Sequence, residues 1–350
     1  MQHIEIKSPH GIIVDAVAEL HDALSTNPLP KFIDSAPRHS ERLLELIYYY
    51  AERPVVVGSY REEYPALFSV GPPPNPDSVV VCFSGGKDSI ATALKLRAIG
   101  RSVTLLHIAG INRYATHEAS ISRALAVEMK MPLVVANVTI TGKSEWAENP
   151  LRNVMILALA ADYGSEHGAS AYALGDHKAD TIESVNTDCG LSDAVDVIDA
   201  GAAMLSHYYA PMSVWHLLDN YTDAHLTLLN LGTRRMRELA SACNMPARFK
   251  KAHINATKRL FPKIDLIAGR CGVCYKCAAE WLTLALVGSE RWDPEYALRC
   301  VDIMFRQYNK RVLGEGRKAS LEDAVHFFID PKVVPDIEPL LDKYFCEWGK

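Results

Sequence analysis

No apolar run in this 350-residue chain reaches the roughly 18 residues a membrane-spanning helix requires. The first 20 residues, MQHIEIKSPHGIIVDAVAEL, lack the basic start and apolar stretch of a secretory leader. The expectation is a cytoplasmic protein without a membrane partner. Positive charge is not in excess either. The 37 Lys and Arg face 42 Asp and Glu, a net charge of −5, so the chain as a whole has no electrostatic footprint for nucleic acid. Internal repeats and long polar tracts are also missing. With 49% hydrophobic and 23% charged residues, the composition is that of a folded protein large enough for one big domain or two ordinary ones.

Four prolines and a glycine crowd into residues 71–76, GPPPNP, and predict a rigid linker or loop that sets off an N-terminal extension, 1–76. Beyond it the pattern alternates. VVVCF (79–83), VTLLHI (103–108), LVVANV (133–138) and AYALG (171–175) are short apolar runs suited to strands buried on both faces. Helical spacing occupies 88–99, 116–130 and 151–168, the last closed by Gly168. Strands separated by helices predict an α/β fold, a doubly wound parallel sheet with right-handed crossovers. After 190 the pattern turns mostly helical, with further helices at 278–288, 294–310 and 320–328.

The first buried strand runs straight into Ser84-Gly85-Gly86-Lys87-Asp88-Ser89. Two glycines permit a tight turn with close backbone approach, and free N–H groups at the following helix start favour an anion. Lys87 adds positive charge and Ser84 and Ser89 add hydroxyls. Asp88 would repel phosphate unless it holds a cation such as Mg2+. The adjacent glycines differ from the Walker A spacing, and Gly-x-Gly-x-x-Gly is absent, which disfavours NAD. The plain alternative is a strand-to-helix turn whose glycines serve geometry alone.

Three of the eight cysteines, Cys271, Cys274 and Cys277, form two overlapping Cys-x-x-Cys pairs. In a chain that needs no disulfide staples, that spacing points to metal, with tetrahedral zinc first and a redox or iron–sulfur role as the competitor. Cys82, Cys300 and Cys346 read as core residues. His107 and His117 stand near the carboxyl edge of the predicted sheet, where they could line a pocket.

The Ser84–Ser89 hexapeptide resembles the PP-loop of the ATP pyrophosphatases, which grips the pyrophosphate end of ATP while AMP is transferred to a substrate oxygen. The resemblance implies a Rossmann-like, adenine nucleotide alpha-hydrolase-like topology over 77–290. It also implies ATP and Mg2+ as cofactors, the whole hexapeptide as binding loop, and Lys87 and Asp88 as the residues carrying catalysis. Within that superfamily, several stretches resemble 7-cyano-7-deazaguanine synthase. In NPLRN, Pro150, Arg152 and Asn153 match its Pro-Gly-Arg-Asn helix start, with Leu151 in place of glycine. NTDCG keeps an Asp188-Cys189 pair without the Tyr-Pro before it, and Asp180 in GDHKAD falls in the same acidic region. The resemblance makes Arg152, Asn153, Asp188 and Asp180 substrate-binding residues. GDHKADTIES also echoes a Gly-x-His-x-x-Asp-x-x-Glu segment of tRNA thiolases and lysidine synthetase.

CGVCYKC matches the synthase's zinc knuckle, whose fourth cysteine lies upstream. Here that region reads ARFKKAHINA, leaving His253 or Cys243 as the fourth zinc ligand. By resemblance the chain adenylates 7-carboxy-7-deazaguanine, releases pyrophosphate, and lets a nitrogen nucleophile displace AMP to give an amide, which a second ATP then dehydrates to the nitrile. The departures and the extensions at 1–76 and 291–350 suggest a divergent branch. Relatives in bacterial antiviral systems join a deazaguanine acyl group to a protein amine, so a protein partner or acceptor is a second expectation. A tRNA-modifying ATP pyrophosphatase is a third.

Overall fold

The computed structural model describes residues 12–24, 29–50, 54–61, 72–109, 115–137, 150–178, 194–209, 212–219, 221–240, 247–264, 266, 270–286 and 289–309. The N-terminal part forms α1 (Ile12–Ala23), β1 (Phe32–Pro37), α2 (Glu41–Tyr50) and β2 (Val56–Arg61), the two strands pairing in parallel. Then follow β3 (Asn75–Cys82), α3 (Lys87–Ala98), β4 (Ser102–Ala109), α4 (Ala115–Met129), β5 (Leu133–Asn137), α5 (Arg152–His167) and β6 (Ala169–Ala173). After them come α6 (Val195–Leu205), β7 (Ser213–Trp215), α7 (Tyr221–Leu231) and α8 (Arg234–Leu239). The described chain ends with α9 (Ala247–Leu260), α10 (Tyr275–Leu286) and α11 (Pro294–Asn309).

Five strands pair in parallel in the order β5-β4-β3-β6-β7. Helices cover both faces, and the pleat sorts the side chains between them. Val79, Val81 and Phe83 pack with Ile90, Leu94, Leu125 and Leu228 on one face. Their neighbours Val80 and Cys82 join Val154, Leu157, Ile198 and Leu205 on the other. Both faces being apolar explains why the strand reads as an unbroken run rather than an alternation.

The residues before the proline cluster share this second core: Val17, Leu20, Leu43 and Ile47 sit in the same apolar cluster, with α1 against α5 and α2 against α6. The proline cluster itself differs from expectation. β3 begins at Asn75, inside the stretch read as linker, and the Asn75 N–H donates to Gly168 O at 2.9 Å. Pairing with β6 shifts register between Asn75 and Val79, and that irregularity accommodates Pro76, which has no N–H for the ladder. Gly168 closes α5 as expected, in the left-handed region at φ 67°. β7 was not expected, since its three residues lie in a region that reads as helical. The predicted helix at 320–328, and Cys346, lie outside the described residues.

Candidate functional site

The site grows from the end of β3. Phe83 N–H donates to Leu106 O at 2.7 Å, and the chain then turns through Ser84, Gly85 and Gly86 into α3. Gly85 has φ +75°, and a Cβ there would stand 3.1 Å from Ile121 Cγ2 and 3.2 Å from Ser122 Oγ, so conformation and space both require glycine. Gly86 caps α3 without a side chain of its own. Ser84 Oγ accepts from Gly86 N–H at 3.2 Å and lies 3.3 Å from Ser89 Oγ, which donates to Gly86 O at 3.0 Å. The two serines therefore fix the turn, and the 12-residue α3 points its positive end at the carboxyl edge of the sheet.

The order of the sheet makes this edge the place to look for a ligand. From β3 the chain moves outward to β4 and β5, then returns to the other side of β3 with β6 and β7. Ligands of open α/β sheets bind in the crevice at such a reversal. The loop after β6 lies directly against α3: a Cβ on Gly175 would come within 2.6 Å of Ser89 N and 3.0 Å of the Asp88 carbonyl carbon. Two residues on, His177 places Nε2 3.2 Å from Asp88 Oδ1, the same oxygen that ion-pairs with Lys87 Nζ.

Lys87 is 5% exposed and Asp88 30%. Burial alone would raise the Asp88 pKa, but the Lys87 charge and the His177 hydrogen bond outweigh it and hold this carboxyl far below its usual range. Burial pulls Lys87 down, and Asp88 opposes that pull. Burial, and then the Lys87 charge, push the pKa of His225, buried on α7, well below the usual histidine value.

A second polar group continues the edge. His216, just past β7, pairs through Nδ1 with buried Asp176 and through Nε2 with exposed Asp199 at 3.1 Å. Burial lowers the His216 pKa, but the two carboxylates override it and lift it to about 9. A histidine whose folded pKa is raised stabilises the fold fully below its unfolded pKa of about 6.5, and loses that contribution as pH rises towards 9. Replacing His216 by Gln therefore costs stability at pH 6 and little above pH 9. The difference should reach at most about 3 kcal/mol, read from denaturant unfolding of both proteins at the two pH values.

Arg152 and Asn153 open α5, with Arg152 Nε 3.4 Å from Asn153 Oδ1; Asn153 is buried and Arg152 half-buried. Because α5 feeds β6 from the carboxyl side of the parallel sheet, its N-terminus belongs to the same edge as the Ser84–Ser89 turn. Asp180 and Asp188 lie outside the described residues, as does the His117 side chain. His107 is buried behind the turn, its Nδ1 2.9 Å from Phe83 O and 3.2 Å from Ser122 Oγ, and burial lowers its pKa. It props the strand–loop junction from within.

The three cysteines come together. Cys271 and Cys277 Sγ are 3.9 Å apart, Cys274 and Cys277 Sγ 3.4 Å, and all three lie within 4.8 Å of one another. Val273 N–H points at Cys271 Sγ at 3.5 Å, and Gly272 turns at φ +72° against Tyr296, Leu266 and Thr257. Three reduced sulfurs on a tight turn are a donor set that fits zinc. His253, on α9, is not part of this group, and Cys243 lies outside the described residues. Cys82 and Cys300 are buried in the core as expected, and burial pushes the Cys82 thiol up to about 12.

Beside the cysteines, Arg270 and Glu280 form a buried ion pair, and the same guanidinium donates to Ala240 O at 2.9 Å and Arg237 O at 2.8 Å. This clamps the cysteine turn to the end of α8. No protein-family model and no curated protein matches this chain.

Sequence reading missed His177, Gly175, the Asp176–His216–Asp199 group and the Arg270–Glu280 pair. A signal existed for His177 and Gly175, which stand at the carboxyl end of a predicted strand within the GDHKAD segment. For the others no local pattern announces the partner.

Proposed function

We propose that this chain is an ATP-dependent ligase of the PP-loop ATP pyrophosphatase type, built on a doubly wound, Rossmann-like domain. One observation carries the reading: the Ser84–Ser89 turn opens a helix at the reversal point of a parallel sheet, with an ionised carboxylate, a buried lysine and two hydroxyls converging there. The α3 N-terminus and the turn's N–H groups bind the pyrophosphate end of ATP. Lys87 offsets charge developing on the leaving pyrophosphate. Asp88, oriented by His177, takes Mg2+, which supplies charge neutralisation on the phosphates.

The group activated is a carboxylate, with 7-carboxy-7-deazaguanine as the substrate. Its carboxylate oxygen attacks the α-phosphorus of ATP, pyrophosphate leaves, and an acyl-AMP forms. A nitrogen nucleophile, ammonia or a protein amine, then displaces AMP and gives up a proton to form the amide. Arg152 and Asn153, at the α5 start, hold the substrate, Arg152 through an anionic group. The cysteine turn holds a structural zinc ion.

The test incubates the protein with ATP, Mg2+ and 7-carboxy-7-deazaguanine, with and without ammonia, and follows pyrophosphate and product mass. Pyrophosphate that depends on the carboxylate, with an amide or nitrile product when ammonia is present, is the expected result. Absence of carboxylate-dependent pyrophosphate overturns the substrate assignment. Release that depends on RNA instead would move the enzyme to the tRNA-modifying branch of the same chemistry.

A further inference from the structure

Asp176 lies just past β6, between Gly175, packed against Ser89 N, and His177, which is bonded to Asp88. It is 6% exposed, and its two oxygens have different surroundings. Oδ2 pairs with His216 Nδ1. Oδ1 is buried and, among the described residues, accepts no hydrogen bond. Burial and then the Asp176 charge raise the pKa of Cys82, the last residue of β3, so this carboxylate stands close to the reversal point between β3 and β6.

The stretch after β7 holds this segment in place. Lys178 N–H donates to Leu218 O at 2.8 Å, and Lys178 Nζ pairs with Asp219 at 2.8 Å. Lys95 of α3 donates to Leu217 O at 2.9 Å, which ties the same stretch to the helix behind the Ser84–Ser89 turn. With Oδ2 fixed by His216, the carboxylate is not free to turn Oδ1 towards water.

A buried carboxylate oxygen without a donor costs free energy that a bound donor recovers. The local charge selects the donor. One imidazolium, His216, stands between two carboxylates, Asp176 and Asp199, and the group keeps one negative charge in excess. Lys87 and Asp88 cancel each other. The excess favours a cation over a neutral hydroxyl, and the burial of Oδ1 favours a small one over a ribose or a base.

We propose that Asp176 Oδ1 receives the nitrogen nucleophile as an ammonium ion. The inference rests on the ligase reading and selects ammonia over a protein amine. The ammonium gives one proton to Asp176 Oδ1, and the freed lone pair forms a C–N bond at the acyl carbon of the acyl-AMP. The C–O bond to AMP breaks, and AMP leaves with that electron pair. The nitrogen then releases a second proton to solvent, which leaves a neutral amide. His216 is the positioning residue that keeps Oδ1 directed at the nitrogen.

The first test adds ammonium chloride to the full chain and follows the His216 imidazole by NMR, the resonance being assigned by its absence from H216Q. A shift is expected with ammonium, none with sodium or potassium chloride at equal ionic strength, and none in D176N. The second test uses turnover. D176N should raise the ammonium concentration for half-maximal amide formation about ten-fold, the scale of one hydrogen bond to a charged group, with a smaller change in the KM for ATP. Amide formed per pyrophosphate released should fall, because water then competes for the acyl-AMP. Butylamine should serve the wild type less well than ammonium. Absence of carboxylate-dependent pyrophosphate overturns the ligase reading and this inference with it. Amide formation whose ammonium dependence is indifferent to D176N overturns this inference alone. So does a His216 shift that is absent, as for a buried water on Oδ1, or shared by potassium, and so does butylamine serving as well as ammonium. Should D176N fail to fold, the wild-type resonance still decides.

Discussion

On the proposed ligase chemistry, Asp88→Asn should lower ATP-dependent pyrophosphate release by about 100-fold or more, the scale on which removing a preorganised charge at a reacting phosphate acts. The substitution keeps the volume and removes the charge that pairs with Lys87 and accepts from His177. It also leaves Lys87 buried beside a neutral partner. Breaking one half of a buried pair costs about 3–5 kcal/mol, less here because Lys87 can shed its proton. Loss of activity by Asp88→Asn alone could therefore be loss of fold. The double variant Lys87→Met/Asp88→Asn separates the two effects. Removing both charges restores much of the stability, since no unpaired ion remains, but leaves the site without cation and carboxylate. The expected result is a folded, inactive protein, read by denaturant unfolding beside pyrophosphate release. An active double variant would remove the turn from the chemistry. The depressed Asp88 pKa adds a check. A carboxyl held low stabilises the fold above its unfolded pKa and loses that contribution only as pH falls through the lowered value, so wild type should outlast Asp88→Asn at neutral pH and converge with it in strong acid.

The parts of the fold legible in the sequence are those that local chemistry dictates. VVVCF reads as a doubly buried strand because both faces need apolar side chains, and Gly168 marks a helix end because the chain must enter the left-handed region there. β7 was not legible. Its three residues are a strand by virtue of pairing with β6, a property of the sheet order and not of Ser213, Val214 or Trp215. The start of β3 was misread because prolines usually end a ladder, whereas a register shift at the beginning of this central strand absorbs Pro76. The candidate site divides in the same way. The SGGKDS pattern lies within six consecutive residues and the CGVCYKC pattern within seven. His177 and Asp88 are 89 residues apart in the chain, His216 and Asp176 40, and they meet only because β6 lies between β3 and β7.

Metal removal should have the largest effect on stability. The Cys271, Cys274 and Cys277 sulfurs sit where three helices meet. Thr257 of α9 donates to Cys271 O, Tyr296 of α11 donates to Gly272 O at 2.9 Å, and Cys277 lies on α10, which carries Glu280 to its buried pair with Arg270. A metal ion here would fix all three helices at once, and its binding energy would become folding energy. About one zinc per chain is expected by elemental analysis, with no visible absorbance of an iron–sulfur cluster. A strong chelator, or Cys271→Ser, should lower the unfolding temperature by about 10 °C, a loss of several kcal/mol for a chain of this size. Reduced cysteines that merely pack would behave otherwise. The chelator would do nothing, and Cys271→Ser would cost only the burial of one hydroxyl, about 1–3 kcal/mol. The Arg270–Glu280 pair gives the comparison its internal control. Arg270→Met strips Glu280 of its partner and destabilises the same junction, but leaves the zinc content at that of wild type.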